Sequence, residues 1–284
     1  MKTLFISDLD GTLLNDQAVL SEYSKEKLKE LIDRGLLFTV ATARTRATVK
    51  NIFSGIKMNI PWILMNGVLT YDPENDINVS VSEIHPEDAR SVLNIYKKHN
   101  KSPMLYILRE DHLEIQYKTL DNVYQKEYVN TRKDLREKRF RRCKSEFKID
   151  AEEKLIYMVS LDKEETLAPI CNEIRNENRV TCAFYSDNYT ECNFMECMNR
   201  TVSKGVAAQK LKDYLKIDKI IAFGDNLNDL PLFSIADESY AVSNACPELK
   251  KAATGIIDSN NNDGVVKFIC EIFDKKGIVE DIYG

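Results

Sequence analysis

The chain has 284 residues, 43% hydrophobic and 30% charged, with 10 Gly and 7 Pro, a composition that excludes long disordered tracts and low-complexity architectures. At this length a single core stops growing, so two lobes are expected. A formal net charge of −5 excludes a nucleic-acid binder that neutralises many phosphates, unless its basic residues are locally concentrated.

Residues 3–8, TLFISD, form a short apolar run with little polar alternation, as in a strand buried on both faces. The next segment, SEYSKEKLKELIDRG, carries Leu28, Leu31 and Ile32 at helical spacing; Ser21 or Ser24 can cap its start and Gly35 can end it. Residues 36–41, LLFTVA, then complete a βαβ unit, and WILM at 62–65 reads as another strand of the same parallel sheet. After the turn-rich YDPEND at 71–76 the texture changes. Helical stretches at 86–99 and 163–177 mix with the strand-like MLYIL, HLEIQY and LIYMVS, and the short RED turn between the first two strands predicts an antiparallel hairpin. A helix at 203–215, SKGVAAQKLKDYL, leads into the apolar IIAFG at 220–224, and VVKFICEIF supplies a last helix. The expected fold class is α/β: a Rossmann-like parallel-sheet core from residues 1–83 and 187–284, with an α+β cap domain inserted at 84–186.

The seven cysteines form no CxxC pair and match neither a disulfide framework nor a zinc site. The opening MKTLFIS meets Asp8 before reaching signal-peptide length, and no later run approaches a membrane span, so a cytoplasmic protein with no membrane association is expected. His85, His99 and His112 are the sole histidines, which points acid–base chemistry towards carboxylates. Basic residues concentrate in RKDLREKRFRRCKSEFK at 132–148, but Asp134, Glu137 and Glu146 dilute them, favouring a solvated cap face over nucleic-acid contact. A basic face of this kind can also raise the local concentration of an anionic substrate.

Chemistry gathers elsewhere. SDLDGT ends the first strand with Asp8 and Asp10, followed by Gly11, where open α/β sheets bind ligands outside the carboxyl ends of their strands. Thr42 in TVATAR, Lys204 in VSKGVAAQ, and Asp225, Asn228 and Asp229 in AFGDNLND follow strand-like runs or open a helix, so parallel strands would deliver most of them to one edge. A calcium loop fails on register: counted from Asp8, Leu13 stands where glycine is needed and Val19 where glutamate is needed. Neither GxxxxGK[ST] nor a GxGxxG turn is present.

In this order the residues resemble the haloacid dehalogenase superfamily of phosphohydrolases. DLDGT looks like its first motif, Thr42 its second, Lys204 its third and GDNLND its fourth. AVSNACPELKKAAT and NNNDGVVKFI are similar to the C-terminal core of the Cof-type subgroup, whose members carry a large α/β cap between the second and third motifs. The resemblance implies a magnesium-dependent phosphatase of small phosphorylated metabolites, sugar phosphates first, with pyridoxal phosphate and flavin mononucleotide as alternatives. It implies Mg2+ held by Asp8, the main-chain carbonyl of Asp10, and Asp225. Asp8 is then the nucleophile, forming an aspartyl phosphate, and Asp10 the acid and base. Thr42, Lys204, Asn228 and the main-chain N–H groups of Leu9 and Ala43 bind phosphate, while Asp229 orients Lys204 or a metal-bound water. Where the family commonly has Gly after the motif-two threonine, this chain has Ala43, acceptable if that residue keeps negative φ.

Arg44 and Asn66, the latter in MNGV, are candidate substrate contacts, as are His112 and Tyr117 by location alone. No nucleic-acid partner is expected, and the chain is expected to be a monomer or weak homo-oligomer. Two other readings use the same residues: phosphoryl transfer to a second hydroxyl, as in a phosphomutase, and a non-enzymatic phospholigand-binding or phosphoacceptor module. Asp10, poised to process an intermediate, argues against the second.

Overall fold

A computed structural model describes residues 2–110, 112–132, 138–186 and 192–280. The chain divides into two compact units, Met1–Ser80 with Ser203–Gly284, and Val81–Val202.

The first unit is built on a five-stranded sheet in the order Gly255–Ile257, Glu238–Val242, Lys219–Gly224, Thr3–Ser7, Leu37–Val40. Every neighbouring pair is parallel. Leu4, Ile6, Phe38, Val40, Ile220 and Phe223 are fully buried, which explains why these strands show no polar alternation. Helix Glu22–Asp33 opens on Ser21, whose hydroxyl accepts from the Ser24 N–H, and it buries Leu28, Leu31 and Ile32. Helix Lys204–Leu215 opens in the same way on Ser203, which accepts from the Val206 N–H. Ser7 lies opposite both Phe223 and Val40, so three strands end together and discharge Asp8, Thr42 and Asp225 at one edge of the sheet.

One element departs from the sequence reading. Trp62–Leu64 does not extend the parallel sheet as a strand; it pairs antiparallel with Leu69–Asp72 and touches the parallel sheet through a single bridge, Ala41 to Ile63. The cause is the turn at Met65, Asn66 and Gly67, all with positive φ, since so short a connection can only reverse the chain.

The second unit carries a six-stranded sheet in the order Val180–Ser186, Asn193–Asn199, Leu155–Asp162, Met104–Leu108, Leu113–Tyr117, Lys138–Arg142. Helices Pro86–Lys98 and Glu164–Glu177 pack Val92, Ile95, Ile170 and Ile174 against Leu105, Ile107, Met158, Met195 and Cys197. The expected hairpin is present, Leu105 to Leu108 pairing antiparallel with Leu113 to Gln116. Val180–Ser186 pairs along its length with Asn193–Asn199, which carries the unit past residue 186, the expected boundary, to Val202. Of the acids in the basic segment, Asp134 and Glu137 lie outside the described residues. All seven cysteines are free, and Cys171, Cys182, Cys192 and Cys197 are buried. Among the described residues no helix is long and apolar enough to cross a membrane.

Candidate active site

The edge where the three strands end holds a buried charge cluster. Lys204 Nζ lies 2.9 Å from Asp8 Oδ1 and 2.7 Å from Asp229 Oδ1, with the lysine and Asp229 side chains both fully shielded from solvent. Asp229 Oδ2 accepts from the main-chain N–H groups of Asp225 and Asn226 at 3.0 and 3.2 Å. Three donors thus hold both its oxygens, which is what allows a carboxylate to be buried at all. Gly224 is required for this approach, because a Cβ there would sit 2.6 Å from Asp229 Oδ2.

Asp225 faces Asp8 from the neighbouring strand. Thr12 Oγ1 donates to Asp225 Oδ1 at 2.7 Å. Gly11, at φ +74°, brings its backbone so close that a Cβ would meet Asp225 Oδ2 at 2.6 Å. The Gly11 carbonyl accepts from Asn244 Nδ2 at 2.7 Å. Thr12 and Asn244 were not among the residues singled out from sequence. Thr12 could have been, since it belongs to DLDGT, whereas nothing local marks Asn244.

The remaining candidates divide into two groups. Thr42 is buried, its N–H donates to Ile63 O and its carbonyl accepts from Asn66 N–H, so its position is fixed by backbone. Its Oγ1 accepts from the Arg44 N–H at 3.1 Å, leaving the hydroxyl hydrogen without an acceptor among the described residues. Ala43 keeps negative φ. Leu9 is buried and opens the turn that Leu14 closes through an N–H donated to Leu9 O at 2.9 Å. Asn228 Nδ2 reaches Asn66 Oδ1 at 3.4 Å, so Asn66 lies at the same edge. Arg44 pairs with Asp10 instead of standing free: Nε donates to Oδ2 at 2.7 Å and an Nη to Oδ1 at 2.6 Å. His112 and Tyr117 belong to the second unit and are half-buried there.

Carboxylate oxygens of Asp8, Asp225 and Asp229 lie within 4.8 Å of one another. All the donors are hard oxygens, the set a hard divalent cation prefers. With all three ionised, Lys204 cancels one charge and leaves two negative, which a dication would balance. The residues therefore fit a divalent cation, with Asp229, already saturated by donors, acting behind Asp8 and Asp225.

Burial pushes Asp8 well above the usual carboxylate range despite the opposing Lys204, and Asp229 and Asp225 add to the rise. Burial likewise lifts Asp225 to about 6, with Thr12 opposing and Asp229 adding to the rise. Burial works against the Lys204 charge, but Asp229 and Asp8 outweigh it and hold the ammonium protonated.

The sign of the Asp225 effect gives a test. A carboxyl whose folded value lies above its unfolded value favours the fold while protonated, so metal-free stability should fall as pH rises through about 6, by roughly 2–3 kcal/mol. A divalent cation should reverse this. The rise in unfolding midpoint on adding the cation is expected to be larger near pH 7.5 than near pH 5.5, as measured by thermal denaturation with and without chelator.

The profile of the haloacid dehalogenase-like hydrolases matches residues 5–269. The chain belongs to this family. It is a haloacid dehalogenase-type phosphatase of the Cof-type subgroup, with a large α/β cap. A putative phosphatase from Buchnera aphidicola subsp. Schizaphis graminum is 28% identical over 281 residues, covering 97% of each chain. The 5-amino-6-(5-phospho-D-ribitylamino)uracil phosphatase YcsE of Bacillus subtilis is 23% identical over 268 residues, covering 94% of each. Among solved structures, a haloacid dehalogenase-like hydrolase from Bacteroides thetaiotaomicron superposes with TM-score 0.76 at 20% identity, covering 96% of this chain and all of that one. The similarity spans both units of the HAD phosphatase.

Proposed function

We propose that the protein is a magnesium-dependent phosphatase of small phosphorylated metabolites, with sugar and polyol phosphates as its substrate class and Asp8 as its nucleophile. The observation that carries this reading is the placement of Asp8 between Lys204, 2.9 Å away, and the Asp225 carboxylate that approaches it from the neighbouring strand. A phosphate monoester is dianionic and repels a carboxylate, so attack requires positive charge on both sides of the nucleophile. Asp8, Asp225 and the Asp10 carbonyl would hold the magnesium ion, which would supply positive charge to neutralise the phosphate.

Lys204 holds the Asp8 carboxylate in place and presents its ammonium to the transferring group. Thr42, whose hydroxyl hydrogen is uncommitted, Asn228 and the N–H groups of Leu9 and Ala43 donate to the remaining phosphate oxygens. Asp8 attacks phosphorus, the P–O bond to the leaving group breaks, and an aspartyl phosphate forms. Asp10 gives its proton to the leaving alkoxide and then takes one from the water that hydrolyses the intermediate. A carboxylate held on both oxygens by a guanidinium is purely an acceptor, so Asp10 must part from Arg44 and take up a proton from solvent before it can give one to the leaving group. The substrate's phosphate is a competing bidentate acceptor for Arg44. Binding of substrate and release of Asp10 are then one event.

That exchange makes Arg44→Gln diagnostic. Loss of a charge-assisted contact to substrate should raise KM by about 10- to 100-fold with a smaller change in kcat. A fall in kcat at unchanged KM would instead confine Arg44 to orienting Asp10.

Support for the substrate class comes from the YcsE relative, whose phosphoribityl substrate shares with sugar phosphates a phosphate ester on a hydroxylated carbon chain. Apart from Asp10, which serves any leaving oxygen alike, the groups around Asp8 serve the phosphate, so selection among leaving groups is assigned to residues 81–202, the cap. The deciding experiment is a panel of sugar phosphates, phosphorylated polyols, pyridoxal phosphate and flavin mononucleotide. The highest kcat/KM is expected on a sugar or polyol phosphate, with inorganic phosphate as product. Preference for pyridoxal phosphate, whose phosphate is borne by no hydroxylated chain, would overturn the substrate class, and an isomerised phosphate ester as product would establish phosphomutase chemistry.

A further inference from the structure

The second unit carries an open cavity of about 540 Å³ at its surface, most of its lining exposed to solvent, that no step of the phosphatase chemistry uses. Its origin is topological. Strands Leu113–Tyr117 and Lys138–Arg142 are the one parallel pair among the described strands of that sheet, with Tyr117 opposite Arg142. Two carboxyl ends therefore emerge side by side, the position at which parallel strands leave a ligand crevice. The Cys143 N–H donates to Tyr117 O at 2.8 Å and Arg142 Nε to Lys118 O at 3.3 Å, so the two emerging segments are tied at their base. Lys118, Thr119, Arg142, Lys144, Ser145 and Glu146 line the space above.

Three cations and one carboxylate line this cavity, in a chain whose net charge is −5. Several cations elsewhere in the unit are neutralised where they stand: Lys98 by Glu173, Lys101 by Asp162, Arg109 by Glu114 and Glu153, Arg179 by Asp88. At the cavity, Lys118 meets Glu146 and lies 5.2 Å from the centre of the Phe147 ring. Arg142 and Lys144 meet no carboxylate among the described residues. Glu146 is a weak competitor for Lys118, since its side chain is 83% exposed and the pair is screened by solvent. The Thr119 hydroxyl, without a partner among the described residues, adds a donor.

We propose that this cavity is a second anion site, taking a small phosphate-bearing molecule with two or more negative charges, such as a diphosphate. The Arg142 guanidinium can grip two oxygens at once and the lysine ammonium groups supply point charge. The bound anion displaces Glu146 from Lys118. A nucleic-acid strand is a poorer match, because it needs a basic track longer than one cavity and the adjoining Lys148 is neutralised by Asp150 and Glu152.

The test is residue-resolved lysine acylation of the full-length protein, read by mass spectrometry, with methylenediphosphonate as a diphosphate analogue that the phosphatase does not cleave. At about ten times its Kd the ligand leaves roughly one site in ten free, so labelling of Lys118 and Lys144 should slow about tenfold relative to sodium chloride at equal ionic strength. Lys126 and Lys163, exposed on the same unit, should be unaffected. Arg142→Gln should remove the protection, and Glu146→Gln should bring half-protection to a lower ligand concentration, a gain that misfolding does not produce. Equal slowing at all four lysines, protection that survives Arg142→Gln, or weaker protection in Glu146→Gln would overturn the site. Protection by a single-stranded oligonucleotide but not by the diphosphonate would reassign it to nucleic acid. These readouts do not depend on turnover at Asp8.

Discussion

Asparagine at position 8 is expected to remove turnover, by at least roughly 10³-fold, while leaving the fold as stable as the native protein. The first half follows from chemistry: an amide oxygen is a poor nucleophile, and none of the neighbouring groups can replace it, since Asp229 has both oxygens committed to donors and Asp225 is tied to Thr12. The second half follows from burial. Desolvation already lifts the Asp8 carboxyl well above its usual range, so a neutral side chain of the same shape removes a strained charge rather than a stabilising one. Metal-free Asp8→Asn should therefore melt at or above the native temperature, and its midpoint should respond less to magnesium. In the native enzyme, acid quenching during turnover should leave a phosphoryl group on the peptide that contains Asp8. Activity above about a tenth of native in the variant would remove Asp8 from the role, whereas loss of both activity and fold would show a structural defect.

Much of this site could be read from sequence because its parts sit at strand ends and helix starts, where apolar runs give way to charge. Asp8 follows five residues of strand, Asp225 follows Gly224, and Lys204 follows a serine cap. Each boundary is a local event. What escaped was decided by partners distant in sequence. The apolar run at 62–64 announces a strand, but its pairing is set by the positive-φ turn at residues 65–67, and composition does not distinguish a parallel from an antiparallel neighbour. Arg44 could be read as a candidate substrate contact but not as the partner of Asp10, which lies 34 residues away. Asn244 holds the Gly11 carbonyl across 233 residues. The parallel pairing behind the cap cavity is likewise invisible locally, since the basic strand 138–142 reads as a solvated stretch until its register against residues 113–117 is known.

Methionine at position 204 should cost the fold about 3–5 kcal/mol near pH 8, the loss typical of a buried ion pair stripped of one partner. The stem of the side chain is retained, so the effect isolates the ammonium. Without it Asp229, fully buried, keeps its two main-chain donors but loses the one on Oδ1, and Asp8 loses its nearest positive charge. The pH dependence has a definite sign. The native ammonium is held above its ordinary value by Asp229 and Asp8, so its contribution is constant across the neutral range and fades only as pH rises through that elevated value. In the variant the Asp8 carboxyl, already raised by burial, favours the fold only when protonated, so the deficit should shrink on going from pH 8 to about pH 5. Chemical denaturation at the two pH values measures this directly. The double variant Lys204→Met with Asp229→Asn should recover part of the loss at pH 8, because it no longer buries a carboxylate without its counter-charge. A single variant as stable as the native protein at pH 8 would mean that Lys204 and Asp229 are not the paired charges their 2.7 Å separation indicates. Activity should fall as well, by about 10²- to 10³-fold, and magnesium should not restore it, since the dication balances the cluster but leaves Asp8 without the donor that holds its carboxylate in line.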